Sequence, residues 1–279
     1  MTISAGAAAR PARLANWRAH AVMAPLAFIS IFPVWWMVVT SLRAENDIYS
    51  YLPWPVAPVL RNYVYGLDAV PVVRMLANTM LFASVATVAQ MLTAVLAAYA
   101  FVRWRFMFDK AIYALIAMTW LVPFQVIMIP NYVLISQLGL INTITALILP
   151  HLASAFAILL LVQAMRSFPA EIMEAAHMDG AGHWRILWRI VVPNLRAPLA
   201  ALAILLFISS WNEYFWPLLL TRSPQTTVIQ IGIQMFLTEE GNQWGPLMAV
   251  STMACLPVLA IYAILQRQVI DSFVAAGMK

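Results

Sequence analysis

Residues 168–193, FPAEIMEAAHMDGAGHWRILWRIVVP, carry clustered charges in a chain otherwise dominated by long apolar runs, and their reading decides the architecture. Pro169 suits the first turn of a helix, and Glu171 and Glu174 stand where the positive end of the helix dipole favours acids. Asp179-Gly180 then reads as a helix stop, because glycine can take the left-handed conformation that ends a helix. A second amphipathic stretch follows from about Gly182 to Val192, with Arg185 and Arg189 on one face at i, i+4 spacing. Pro193 is expected to close it. The pattern predicts a helix–turn–helix that projects from whatever its two flanks build.

Both flanks read as membrane helices, which need about 20 mostly apolar residues. Upstream, Ala111 to Met165 contains no Asp, Glu, Lys or Arg. That is too long for one helix, and Gly139 and Asn142 supply break signals for a turn near 137–142. Downstream, Pro198 to Leu220 is interrupted only by Glu213. Three further charge-free runs complete the set, because an ionised group at a span centre costs at least a few kcal/mol. The spans are expected at about 19–42, 75–102, 111–135, 143–165, 198–220 and 246–266, with the loop at 168–193 between the fourth and fifth. Segments 1–18 and 268–279 are expected outside the bilayer. Arg10, Arg13 and Arg18 before an apolar stretch imitate a signal peptide, but Ala19 to Leu42 is too long for its apolar core and reads as a retained first span.

Composition agrees with an all-α integral membrane protein of six spans. Of 279 residues, 63% are hydrophobic and 10% charged, against about 45–50% and about 25% in soluble domains. Too few polar side chains exist to cover a water-facing surface. The net charge of +5 reads as loop charge that sets orientation, rather than as a nucleic-acid surface. With a cytoplasmic N-terminus, the outer segments hold only Arg43, Arg61, Arg74 and Arg222, so twelve of the 16 Lys and Arg lie inside. Both termini are therefore expected in the cytoplasm. Outer segments 43–74 and 221–245 are long. The single Cys255 forms no internal disulfide.

Several polar residues fall within or beside the spans: Asn78, Gln90, Gln125, Asn131, His151, Gln163, Asn212 and Glu213. Such groups face a bundle interior or a water-filled path. Packing is the expectation for Asn78, Gln90 and Gln163, whereas Gln125, Asn212 and Glu213 are candidates for lining a substrate path. His177 and His183 flank the loop turn without a third ligand at sensible spacing, so they read as surface residues and no metal site is expected. Trp35, Trp36, Trp54, Trp104 and Trp244 read as an interface belt. Pro123, Pro130, Pro217 and Pro257 read as kinks, which membrane helices tolerate.

The 168–193 segment resembles the "EAA" loop of binding-protein-dependent ABC transporter permeases, whose pattern is Glu-Ala-Ala, three residues, Gly, nine residues, then Ile-x-x-Pro. The match falls on Glu174, Ala175, Ala176 and Gly180, extends to Ile190 and Pro193, and includes the Asp179-Gly180-Ala181 common in the carbohydrate branch. The nearest likeness is to the second permease of maltose-type and glycerol-3-phosphate-type importers. It continues at Asn78-Thr79, Ala97-Ala98-Tyr99-Ala100-Phe101, Pro123, Pro130, Trp211-Asn212, Gln266-Arg267 and Gly277-Met278-Lys279. The tail stops at Lys279 where the family usually adds a Gly.

The resemblance implies a type I importer fold whose loop is a coupling helix seated in a groove of a separate ATPase. Glu174 would pair with a basic ATPase residue, Ala175 and Ala176 would allow close packing, and Asp179, Gly180 and Pro193 would shape the turn and its end. It further implies a heterodimer with a second permease, an ABC ATPase dimer that binds ATP and Mg, and an external solute-binding protein docking on the outer segments. The bilayer implied is a bacterial inner membrane. No catalytic residue and no cofactor of its own are expected, since no phosphate-cradling Gly-x-x-x-x-Gly-Lys sequence is present. An intramembrane enzyme lacks its motifs here. A secondary transporter would need repeats or paired ionisable groups in the spans. A permease for a sugar or polyol phosphate remains the reading, with a non-carbohydrate solute as the alternative.

Overall fold

A chain crossing hydrocarbon must bond its own amides and carbonyls, so apolar runs of this length fold as helices. The computed structural model describes residues 17–237 and 241–277, and these are helical in all their long elements. The first half holds α1 (Trp17–Ser41), α2 (Arg61–Ala69), α3 (Val72–Arg103), α4 (Asp109–Leu121), α5 (Phe124–Gln137) and α6 (Ile144–Ile148). A short 3-10 turn (Leu149–His151) leads to α7 (Ala155–Arg166) and α8 (Ala170–Met178). Then α9 (His183–Ile186) runs through a π-helical turn (Leu187–Val191) into α10 (Val192–Asn194), followed by α11 (Arg196–Trp211). The described chain ends with α12 (Phe215–Leu220), α13 (Ile229–Gln234) and α14 (Trp244–Gly277).

Among the described residues α1, α3 and α14 are each long and apolar enough to cross a membrane. Three bent pairs reach that length together, which allows six crossings. One bend falls at Pro123, where a kink was expected, and two fall at breaks that contain no proline. Over 111–135, α4 and α5 meet at 97°, because Pro123 lacks an amide and disfavours helix at Val122, which is extended at φ −72, ψ 120. Over 143–165, the chain bends by 42° between His151 and Ala155. Over 198–220, the helix stops at Trp211 and resumes at Phe215. Pro193 stands in the last turn of the continuous helix His183–Asn194, which ends one residue later where the chain turns by 81°.

The turn at 137–142 does use its two breakers, with Gly139 at φ 67 and Asn142 at φ 66. Helix α3 is central, lying against α7 and α11, whereas α1 rests on α14 and leaves most of its apolar surface exposed. Helix α2 also lies on α14. A Cβ at Gly66 would come within 2.8 Å of Val250 Cγ2, so the absent side chain sets that close approach.

The sequence places Arg43 among exposed outer charges, yet it is fully buried. Its guanidinium donates to the carbonyl oxygens of Asp47 (3.1 Å), Ser50 (2.9 Å) and Leu52. The Asp47 carboxylate lies at 3.8 Å and the Trp36 ring at 5.1 Å. One cation thus organises an irregular segment that has few amide partners of its own. Breaking such a buried ionic network costs about 3–5 kcal/mol. Arg43→Met is expected to lose that much, seen as a lower melting temperature of the purified protein.

Candidate functional site

The loop is built so that one face is held by the bundle and the other is free. Glu171 lies in the first turn of α8, and α8 ends in a Schellman arrangement. The Ala181 amide donates to the Ala176 carbonyl and the Gly180 amide to the His177 carbonyl, both at 3.0 Å. Gly180 takes φ +81, and nothing lies within 4 Å of where its Cβ would be. A side chain there meets backbone strain rather than a neighbour. Glu174, Ala175, Asp179 and Gly180 are exposed, and Ala176 is half-buried. On the opposite face Met173, Ile186, Leu187 and Val191 are buried in one cluster with Tyr99, Val162, Met165 and Leu199. The amphipathic period thereby seats both loop helices on the ends of α3, α7 and α11.

Of the two histidines, His177 is exposed, as expected, whereas His183 is not a surface residue. The rings of His177 and His183 stack at 5.6 Å, and His183 packs edge-on against Trp104 at 4.9 Å. His183 is half-buried and ties the 104–108 connection to the loop.

A second polar constellation lies at the helix breaks. From the loop-bearing end of the bundle, α4, α7 and α11 run for 13, 12 and 16 residues before breaking. At about 1.5 Å per residue the three breaks lie at roughly the same depth, about 18–24 Å in. Glu213 occupies one of them. Its Oε1 accepts the amides of Phe215 (3.1 Å) and Trp216 (3.3 Å), and Oε2 lies 3.7 Å from His151 Nε2 at the second break. His151 Nδ1 is 2.9 Å from the Leu147 carbonyl and donates to it, and the imidazole sits edge-on to Phe82. Asn212 is exposed, with its Oδ1 accepting from Gln230 Nε2 at 3.3 Å. Phe124, at the third break, packs against Phe215 at 5.8 Å and Trp216 at 5.2 Å. The next residue, Gln125, is exposed in the first turn of α5.

The structure therefore brings Asn212 and Glu213 to one break and sets Gln125 beside an aromatic that touches it. Sequence reasoning missed His151 and Gln230 as their partners. A histidine inside a charge-free run was the available signal for the first, and the second had none. Asn78 is a packing residue, as expected. Its Nδ2 donates to the carbonyls of Gln225 (3.0 Å) and Thr227 (2.9 Å), pinning the 221–228 segment to α3.

Residues 90–273 match the family described as binding-protein-dependent transport system inner membrane component. The lactose transport system permease protein LacG of Rhizobium radiobacter is 32% identical over 264 residues, 95% of this chain and 97% of that protein. The sn-glycerol-3-phosphate transport system permease protein UgpE of Rhizobium meliloti (strain 1021) is 32% identical over 273 residues, 94% and 96% of the two chains. In fold, the chain superposes on a chain of a bacterial ABC transporter involved in the import of the acidic polysaccharide alginate. That match has a TM-score of 0.78 and 23% identity, covering 94% of this chain and 99% of that one.

At Gly180 the left-handed backbone, not side-chain volume, is the constraint. Non-glycine residues pay roughly 1–2 kcal/mol there, with asparagine the mildest. Gly180→Asn is expected to retain more solute uptake than Gly180→Ala, although asparagine is larger, and Gly180→Val to retain least. Equal membrane insertion of all three, measured by immunoblot, separates this order from a folding defect.

Proposed function

Because this chain belongs to the binding-protein-dependent transport system inner membrane components, we propose that it serves as one of two different permease subunits in an ATP-driven importer of a sugar or sugar-like solute. The loop geometry carries the proposal. A rigid helix pair with a buried inner face and a free outer face can receive a force and pass it to the bundle. A frayed loop would absorb it.

In this reading the outer face of α8 docks on a separate ATPase dimer that binds ATP and Mg. Glu174 meets a basic residue, Ala175 permits close backbone approach, and Ala176 stays half-turned toward the bundle. Asp179 stands beside the Gly180 turn with its carboxylate exposed. ATP binding draws the loops together, and the two permeases rock between inward and outward openings. The Lys and Arg census supports a bacterial inner-membrane orientation with both termini in the cytoplasm. Segments 43–74 and 221–245 then face outward as the docking surface for a solute-binding protein. The carbohydrate class is supported by relatives named for lactose and for glycerol 3-phosphate.

Gln125, Asn212 and Glu213 line the solute path in this proposal, with His151 holding Glu213. Breaks in spanning helices present polar groups only where they border a cavity or other protein. Removing two hydrogen-bonding groups worth about 1 kcal/mol each predicts that Gln125→Leu with Asn212→Leu lowers solute uptake about tenfold or more. Wild-type uptake by the double variant overturns the path.

The subunit assignment has its own test. Purification of the chain from its native membrane in mild detergent is expected to bring down an ATPase and a second, different permease. A stable homo-oligomer without ATPase would instead indicate a self-sufficient transporter.

A further inference from the structure

We infer that the loop-bearing end of the bundle holds a binding site for the phosphate headgroup of an anionic phospholipid. The choice of the cytoplasmic leaflet, though not the site itself, rests on the orientation proposed above. Between the end of α3, the start of α4 and the end of α7 lies a cavity of about 560 Å³. Arg105, Lys110 and Arg166 line it, with Asp109 as its one acid. The Asp109 carboxylate already accepts the Lys110 backbone amide at 2.6 Å. Among the described residues no carboxylate lies within ion-pair distance, 4.0 Å, of any of the three cations. Arg166 has the Tyr113 ring at 5.2 Å instead. Three cations gathered around one cavity against a single acid leave a net positive site that an anion would relieve.

The surroundings select an amphipathic anion. Beside the cavity the 106–108 turn exposes Phe106, Met107 and Phe108, the latter two by 78% and 68%. Phe108 is held at φ 65, a left-handed conformation uncommon for a bulky side chain. Ile112 and Leu115 continue the exposed apolar surface along α4. A soluble phosphate has no use for that surface, whereas acyl chains do. Basic pockets between membrane helices with apolar flanks suit lipid headgroups. Trp104 also lines the cavity and touches His183 at 4.9 Å, so the headgroup sits directly against the coupling loop.

The test uses the complete complex, reconstituted in phosphatidylcholine vesicles with or without phosphatidylglycerol. Retained lipid is counted by native mass spectrometry. Arg105→Gln with Lys110→Gln and Arg166→Gln is expected to weaken phosphatidylglycerol retention by about fivefold per charge removed. Arg105→Lys with Arg166→Lys keeps the charge and is expected to keep the lipid, which separates charge loss from misfolding. Arg222→Gln, on the opposite side, is expected to change nothing. Equal retention by the triple variant and the wild type overturns the site. So does release of the lipid by inorganic phosphate alone, which would make it a free-phosphate site. Shielding of Lys110 from an amine-reactive reagent by the ATPase subunits, unchanged by phosphatidylglycerol, would overturn it in favour of a protein contact.

Discussion

A helix that stops inside hydrocarbon strands its terminal amides, and an unpaired amide there costs several kcal/mol. The carboxylate of Glu213 answers that demand for α12 by accepting from Phe215 and Trp216. Similar service is given by Ser154 to the Ala157 amide and by Thr143 to the Ala146 amide. Three polar residues of this apolar chain, Glu213, Ser154 and Thr143, thus cap the starts of helices.

The breaks and the loop are mechanically one device. Helix α7 ends at the loop and begins at the break beside His151, and α11 leaves the loop and ends at the break before Glu213. Each is an uninterrupted helix between the loop and its break. The shared cluster of Met173, Ile186, Leu187 and Val191 with Val162, Met165 and Leu199 removes slack at the loop end. At the far end, the Glu213–His151 approach and the contact of Phe124 with Trp216 join the rods to each other and to α5.

What could be read from sequence is what depends on near neighbours. The six apolar runs, the stop at Gly180 and the turn at Gly139 and Asn142 are local patterns of hydropathy and backbone preference. The break before Phe215 was harder, because Glu213 is held by His151, which is remote in the chain, and the end of α11 by Gln230. Arg43 looked like a loop charge because its partners are the carbonyls of Asp47, Ser50 and Leu52, and backbone acceptors leave no mark on composition. His183 looked solvent-facing because its neighbour Trp104 belongs to another connection.

Proline content alone does not locate the breaks. Helix α1 contains Pro25 and Pro33 and α14 contains Pro257, and all three lie inside unbroken helix. In α1 and α14 proline costs one amide bond within a rod whose neighbouring turns persist. At Pro123 the preceding Val122 leaves the helical region altogether, and no side chain caps the start of α5. That uncapped start differs from the Glu213 and Ser154 breaks, where a side chain satisfies the amides. It leaves the positive end of the α5 dipole beside Gln125, next to the Phe124 ring that packs against Phe215 and Trp216. In the solute path proposed above, the Glu213 carboxylate would supply an acceptor and the uncapped start of α5 a donor side, the complement that a polyhydroxylated solute requires.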